Sequence, residues 1–236
     1  MIDGSNLLEA LRPDDRALIA PNLTACDYKA GQVLQEPGDR VEHCFFPRHG
    51  AVGSFTVPLD CGVSVETVMI GREGALGGIV SHGDAPAYAR ASVMHEGTFL
   101  RISLPDLERA KEQSISIRYL FSRYADCLMA QVFQSIACNA IHTIEQRAAK
   151  WLCAAVERTG RNSITMTQEQ LASMMGIGRS YASRVIQRLK RDGLLETRRG
   201  GLEVLDAERL GGRACTCNQH VRQHFQTVLA GVYPQT

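Results

Sequence analysis

The chain has 236 residues, 44% of them hydrophobic, which is enough core for one large or two small domains, since domains usually run to roughly 100 to 150 residues. Met1–Ala10 lacks a basic stretch followed by an apolar run, and no later window approaches the roughly 18 apolar residues of a membrane helix, so a soluble, unexported, cytoplasmic protein is expected. A net charge of +1 excludes any whole-chain argument for nucleic-acid binding and leaves only the distribution of charge to carry one.

The first predicted element is a short helix over Leu7–Leu18. From Gly31 to Ile102 short apolar runs are cut by turn residues: Gln32–Leu34, Glu36–Asp39, Cys44–Phe46, Gly50, Val52–Val57, Asp60–Gly62, Val63–Ile70, Gly71–Gly78, Ala89–Met94 and Thr98–Ile102. Closely spaced strands with Gly, Pro and Asp between them predict an antiparallel sandwich or barrel. Pro105-Asp106 then opens a long helical region, with no further Gly or Pro before Gly160. Within it Ile117, Leu120, Phe121, Tyr124, Leu128, Val132 and Ile136 recur at steps of three and four and form one apolar stripe. Such a stripe packs either on its own domain or on a second copy as a parallel coiled coil, and the coiled coil is the expectation adopted. A second helix, about Ile141 to Arg158, carries Ala148, Trp151, Leu152 and Ala155 on one face and ends at Gly160-Arg161-Asn162.

Thr167-Gln168-Glu169-Gln170 has the form of a capping box, with the Thr167 hydroxyl placed for the Gln170 amide and the Gln170 side chain returning to the cap. The helix it opens, through Leu171, Ala172, Met174 and Met175, stops at Gly176-Ile177-Gly178. A second runs from Arg179 to Lys190, burying Ala182, Val185, Ile186 and Leu189 and turning Arg179, Ser180, Ser183, Arg184, Gln187 and Arg188 outward. Two short helices joined by a glycine turn form a helix-turn-helix plan. Leu194–Leu205 reads as two strands around Arg198-Arg199-Gly200-Gly201, a basic wing. Between Gly176 and Gly201 seven cations face only Asp192 and Glu196, a local net charge of +5.

With these residues the chain resembles the Crp/Fnr family of bacterial regulators over nearly its whole length: Gly31-Gln32-Val33-Leu34 to Pro37-Gly38-Asp39, the Gly50 and Gly71–Gly78 turns, the long helix and, most specifically, Thr167–Leu195. The resemblance implies an α+β architecture: a β-roll or jelly-roll sensor domain over residues 1–104, a dimerisation helix over 105–140, a winged helix-turn-helix over 141–213, and a helical extension over 214–236. It implies a homodimer on a palindromic operator of double-stranded DNA, paired through Ile117, Phe121, Tyr124, Leu128, Val132 and Ile136, with RNA polymerase as a candidate further partner. The family's recognition helix commonly carries Glu-x-x-Ser-Arg or Arg-Glu-x-x-x-Arg, and Arg179-Ser180-Tyr181-Ala182-Ser183-Arg184 stands in that place. Arg179, Ser183 and Arg184 are retained, which implies guanine reading by the arginines, while Ser180 replaces a glutamate that could accept from cytosine and so implies a different base there. Thr167 and Gln168, with Arg188, Arg198 and Arg199, are the expected phosphate contacts; Glu169 would repel phosphate. A scaffold protein whose winged helix contacts protein is the alternative, and the alignment of cations favours DNA.

The sensor's ligand is less defined. The family's cyclic-nucleotide pocket needs a Gly-Glu pair for the ribose and an Arg followed by a small hydroxyl residue for the cyclic phosphate; here Gly77-Gly78 and Ala87-Tyr88 stand instead. With Gly77, Gly78 and nearby Arg90 as the candidate effector pocket, cyclic AMP is not expected, and effector and cofactor are left open. Eight cysteines would suggest disulfides in a secreted chain, but Cys26, Cys44, Cys61, Cys127, Cys138 and Cys153 are scattered and read as reduced thiols. Cys26 and Cys44 are too far apart for the family's N-terminal iron–sulfur cluster. Cys215-Thr216-Cys217 with His220 is a local group of soft ligands without an obvious fourth, read as incidental to a C-terminal helix, and no metal is expected; His82, His95 and His142 read as isolated surface or packing residues. No Ser/His/Asp or paired-carboxylate constellation makes a catalytic case, and no enzyme is expected.

Overall fold

The computed structural model describes residues 2–60, 62, 64–79 and 85–232; Cys61 and His82 lie outside them. The expected N-terminal helix is two, α1 (Asn6–Glu9) and α2 (Pro13–Ile19), because Pro13 starts a new first turn after the extended Arg12. Strands β1 (Thr24–Tyr28), β2 (Val33–Gln35), β3 (His43–Pro47), β4 (Val52–Pro58), β5 (Ser64–Ile70), β6 (Leu76–Gly77), β7 (Arg90–His95) and β8 (Gly97–Ser103) pair antiparallel in two sheets, β1-β8-β3-β6 and β2-β7-β4-β5. Phe45, Val68, Ile70, Leu76, Val93 and Phe99 are buried together, and Tyr28 stands edge-on to Phe45 and Phe99 with ring centroids 6.0 and 5.5 Å away.

The long helical region is three helices, α3 (Leu104–Gln113), α4 (Ile115–Ile141) and α5 (Ile144–Thr159). Its breaks need neither Gly nor Pro, because hydroxyl caps make them. Ser114 is extended and its side chain accepts from the Ile117 amide; Thr143 is extended and forms a reciprocal capping box with Gln146 at 3.3 and 3.0 Å.

After a two-residue strand, β9 (Ser163–Ile164), come α6 (Gln168–Met175), α7 (Arg179–Arg191), β10 (Leu195–Arg198), β11 (Gly201–Val204), α8 (Ala207–Gly211) and α9 (Cys217–Ala230). Helix α9 returns to lie along α4: Arg123 Nη1 donates to the Val228 carbonyl at 2.8 Å, and Phe225 meets Tyr124 edge-on at 6.2 Å. The Tyr124 hydroxyl also donates to the Ala75 carbonyl at 3.1 Å and accepts from the Ala75 amide at 3.0 Å. Gly74 lies so close to the ring that a Cβ there would overlap the hydroxyl.

This packing corrects the assignment of the α4 stripe. Ile117, Phe121 and Tyr124 are wholly buried in a core shared with α1, α2, β3, α3 and α9, and Leu128 and Val132 are half-buried against the sandwich. Of the six residues expected to face a second copy, Ile136 alone is exposed. The outward large apolar residues are Ile115, Tyr119, Met129, Phe133, Ile136 and Ile141, and the first five, with Ser122, Asp126 and Ala140, repeat at steps of four and three. Among the described residues, no helix is long and apolar enough to cross a membrane.

Candidate nucleic-acid interface

The capping box at the start of α6 forms as its sequence requires. Thr167 Oγ1 accepts from the Gln170 amide at 3.1 Å, and Gln170 Oε1 accepts from the Thr167 amide at 2.7 Å. Gly176 ends the helix in the left-handed region at φ 65°, a conformation that costs a β-carbon-bearing residue energy. Leu171, Ala172, Met174 and Met175 of α6 and Ala182, Val185, Ile186 and Leu189 of α7 are buried, the positions read from the sequence. Arg147 of α5, itself buried, donates to the Met175 carbonyl at 3.1 Å and so satisfies the C-terminal end of α6.

This packing leaves one face of α7 to solvent. Arg179, Ser180, Arg184, Gln187 and Arg188 are exposed, and Ser183 is half-buried at its edge. Tyr181, to which the sequence pattern assigns no role, is exposed on the same helix, and the Arg184 guanidinium lies 5.0 Å from its ring centroid. The stack restricts Arg184 and keeps its planar donors together, and an aromatic three residues before an arginine on a helix is the signal that marks it.

The expected phosphate contacts fall into two groups. Arg199 is exposed at the wing tip and, among the described residues, has no ion-pair partner; Thr167 is exposed and Gln168 half-buried at the start of α6. Arg188 and Arg198 are tied to carboxylates: Arg188 to Glu145 at 2.9 Å, Arg198 to Glu203 at 2.5 Å and to Glu196 at 3.2 Å. Arg198 is held further in its charged form by those two carboxylates, Glu203 first. The wing is a three-stranded sheet, β10-β11-β9, because Ile164 pairs with Leu202; the third strand is too short to leave a periodic signal.

The winged module packs on the sheets through α5 and α6. Ser173 Oγ donates to the Ser64 carbonyl, and Val52 and Met69 share a core with Trp151, Met174 and Met175. At this junction the Glu66 carboxyl accepts from Ser54 and Trp151, and desolvation outweighs those bonds, pushing its pKa up to about 8. Buried His95 on β7 is pushed down to about 4 by desolvation and by Arg161, and its Nε2 has no hydrogen-bond partner among the described residues.

Each candidate effector residue is engaged locally. Gly77 is paired to Cys44 within β6, with a backbone at φ 104° and no room for a Cβ over the His43 carbonyl, and Gly78 abuts Leu104 and Val41. Arg90 donates to Glu36 at 2.7 Å. A cavity of about 400 Å³ opens elsewhere, between β5, α4, α5 and α9, where Gln131, Lys150, Arg158 and Arg222 reach it.

Residues 146–213 match the family model of the Crp-like helix-turn-helix domain. This segment is a Crp-like helix-turn-helix domain. With the two sheets and α4 before it, the chain has the architecture of the Crp/Fnr transcription regulators. FixK2 from Bradyrhizobium japonicum superposes with a TM-score of 0.67 at 15% identity, covering 82% of this chain and 98% of FixK2. The c-di-GMP responsive global regulator CLP of Xanthomonas campestris gives 0.66 at 17%, covering 83% and 100%. A CRP-family transcriptional regulator from Thermus thermophilus gives 0.67 at 17%, covering 80% and 97%. Among curated proteins, none matches the chain in sequence.

Proposed function

We propose that the protein is a cytoplasmic transcription regulator that binds a palindromic operator as a homodimer. Two copies pair along the outward face of α4 through Met129, Phe133 and Ile136, and each places α7 in a major groove. Arg179 and Arg184 read guanine edges, Ser180 stands at a base that a glutamate would otherwise select, and Thr167, Gln168 and Arg199 hold phosphates. Arg188 and Arg198 reach phosphate only by leaving or sharing their carboxylates. Control of transcription is by contact with RNA polymerase or by occlusion of it. The observation that carries this reading is the exposed cationic face of α7 within a Crp-like helix-turn-helix.

The test is selection from a randomised duplex pool, followed by anisotropy titration of the enriched sequence against a scrambled one. An enriched inverted repeat bound by two chains is expected. Binding indifferent to sequence, or two chains on a direct repeat, would overturn the two-fold model.

A further inference from the structure

Four soft ligands meet where α4 ends. Cys138 lies in the last turn of α4 and His142, four residues on, is its C-cap; Cys215 precedes α9 and Cys217 opens it. In sequence His142 stands apart, and His220 is the histidine nearest Cys215 and Cys217. The fold instead brings Cys138 and His142 to Cys215 and Cys217, with the four donor atoms all within 4.8 Å of one another, and leaves His220 exposed outside the group. His142 caps α4 four residues after Cys138, about one turn on, so the end of this helix supplies two of the donors.

We propose that Cys138, His142, Cys215 and Cys217 bind a structural zinc ion. Tetrahedral zinc with bonds of about 2.3 Å to sulfur and about 2.0 Å to nitrogen sets its ligands about 3.8 Å (S to S) and about 3.5 Å (S to N) apart. Cys138 Sγ and Cys215 Sγ are 3.6 Å apart, and Cys217 Sγ is 3.6 Å from His142 Nδ1. Cys138 and Cys217 are buried and the other two half-buried, a closed arrangement suited to a structural ion.

The surroundings fit bound thiolates. Three thiolates and one neutral imidazole around a divalent cation leave one net negative charge, and the Lys150 ammonium lies 3.4 Å from Cys138 Sγ to balance it. Gln134 Nε2 donates to Cys217 Sγ at 3.2 Å, a bond that steadies a metal-bound sulfur. An iron–sulfur cube would spread its ligands roughly 6 Å apart, wider than this group allows. A Cys138–Cys215 disulfide would need the sulfurs to close to about 2.05 Å and would leave Cys217 and His142 without a role. The ion would staple the α4–α5 connection to the start of α9, segments distant in sequence.

The test uses the untagged full chain purified under reducing conditions. Elemental analysis should find stoichiometric zinc, and cobalt added after zinc removal should show the intense visible bands of tetrahedral thiolate coordination. Cys217→Ser and His142→Ala should lose the zinc, whereas His220→Ala should keep it. Absence of stoichiometric zinc together with no tetrahedral cobalt spectrum in the unaltered chain would overturn the proposal. So would equal loss in His220→Ala, stoichiometric iron, or a Cys138–Cys215 disulfide that persists under the reducing conditions of purification. The cobalt spectrum is read on the unaltered chain, so the conclusion does not depend on whether a variant folds.

Discussion

Helix α4 has two apolar faces with opposite fates. The face with Ile117, Phe121 and Tyr124 is sealed inside the chain by the sheets, the N-terminal helices and α9, whereas the face with Met129, Phe133 and Ile136 meets solvent. Apolar spacing alone therefore marks a face that must be covered and does not say by what. Inward residues should govern stability, and outward residues association and DNA binding.

The largest effect is expected from Tyr124→Ala, which removes a buried ring and its bonds to Ala75 and should cost about 3–5 kcal/mol in urea unfolding. Material that remains folded should keep its oligomeric state; a monomer would break the division between faces. Phe133→Glu combined with Ile136→Glu should leave unfolding nearly unchanged and weaken the dimer by about 3 kcal/mol, raising its dissociation constant on the order of 100-fold by sedimentation. Arg184→Ala should weaken operator binding by roughly 1–3 kcal/mol with little effect on scrambled DNA. Arg199→Ala should weaken both alike and lower the salt dependence, and Arg198→Ala should do so less, since Glu203 and Glu196 already hold that guanidinium.

The remaining effects are in pH. Glu66 has its pKa raised in the fold, so its contribution is full below about 4.5 and is lost as pH rises through about 8; Glu66→Gln should flatten that decline. His95 is depressed, so its contribution is present above about 6.5 and lost as pH falls towards about 4; His95→Gln should flatten the acid limb. Unfolding midpoints across pH would read both, and opposite slopes would refute the inward placement of these groups.

Legibility in the sequence follows the range of the interactions. The helix-turn-helix is written locally: a capping box spanning Thr167 to Gln170, a glycine at the C-cap, and buried positions three and four apart. The two faces of α4 are not, because what covers the inner one comes from β3 before it and from Phe225 and Val228 far after it. The breaks at Ser114 and Thr143 are hydroxyl caps inside a run otherwise favourable to helix, and the β-roll strands were readable from their turns while their pairing was not. His142 looked solitary for the same reason, since its neighbours Cys215 and Cys217 are joined to it only by the return of α9.

That return also bears on synthesis. Phe225 belongs to the core that holds Leu7, Leu8 and Phe46. A ribosome making the chain from its N-terminus therefore releases the sheets and α4 well before α9, and the side of Tyr124 that Phe225 covers stays open until α9 emerges. Premature termination after α8 would yield a chain with its helix-turn-helix whole and its first core open on the side that α9 covers.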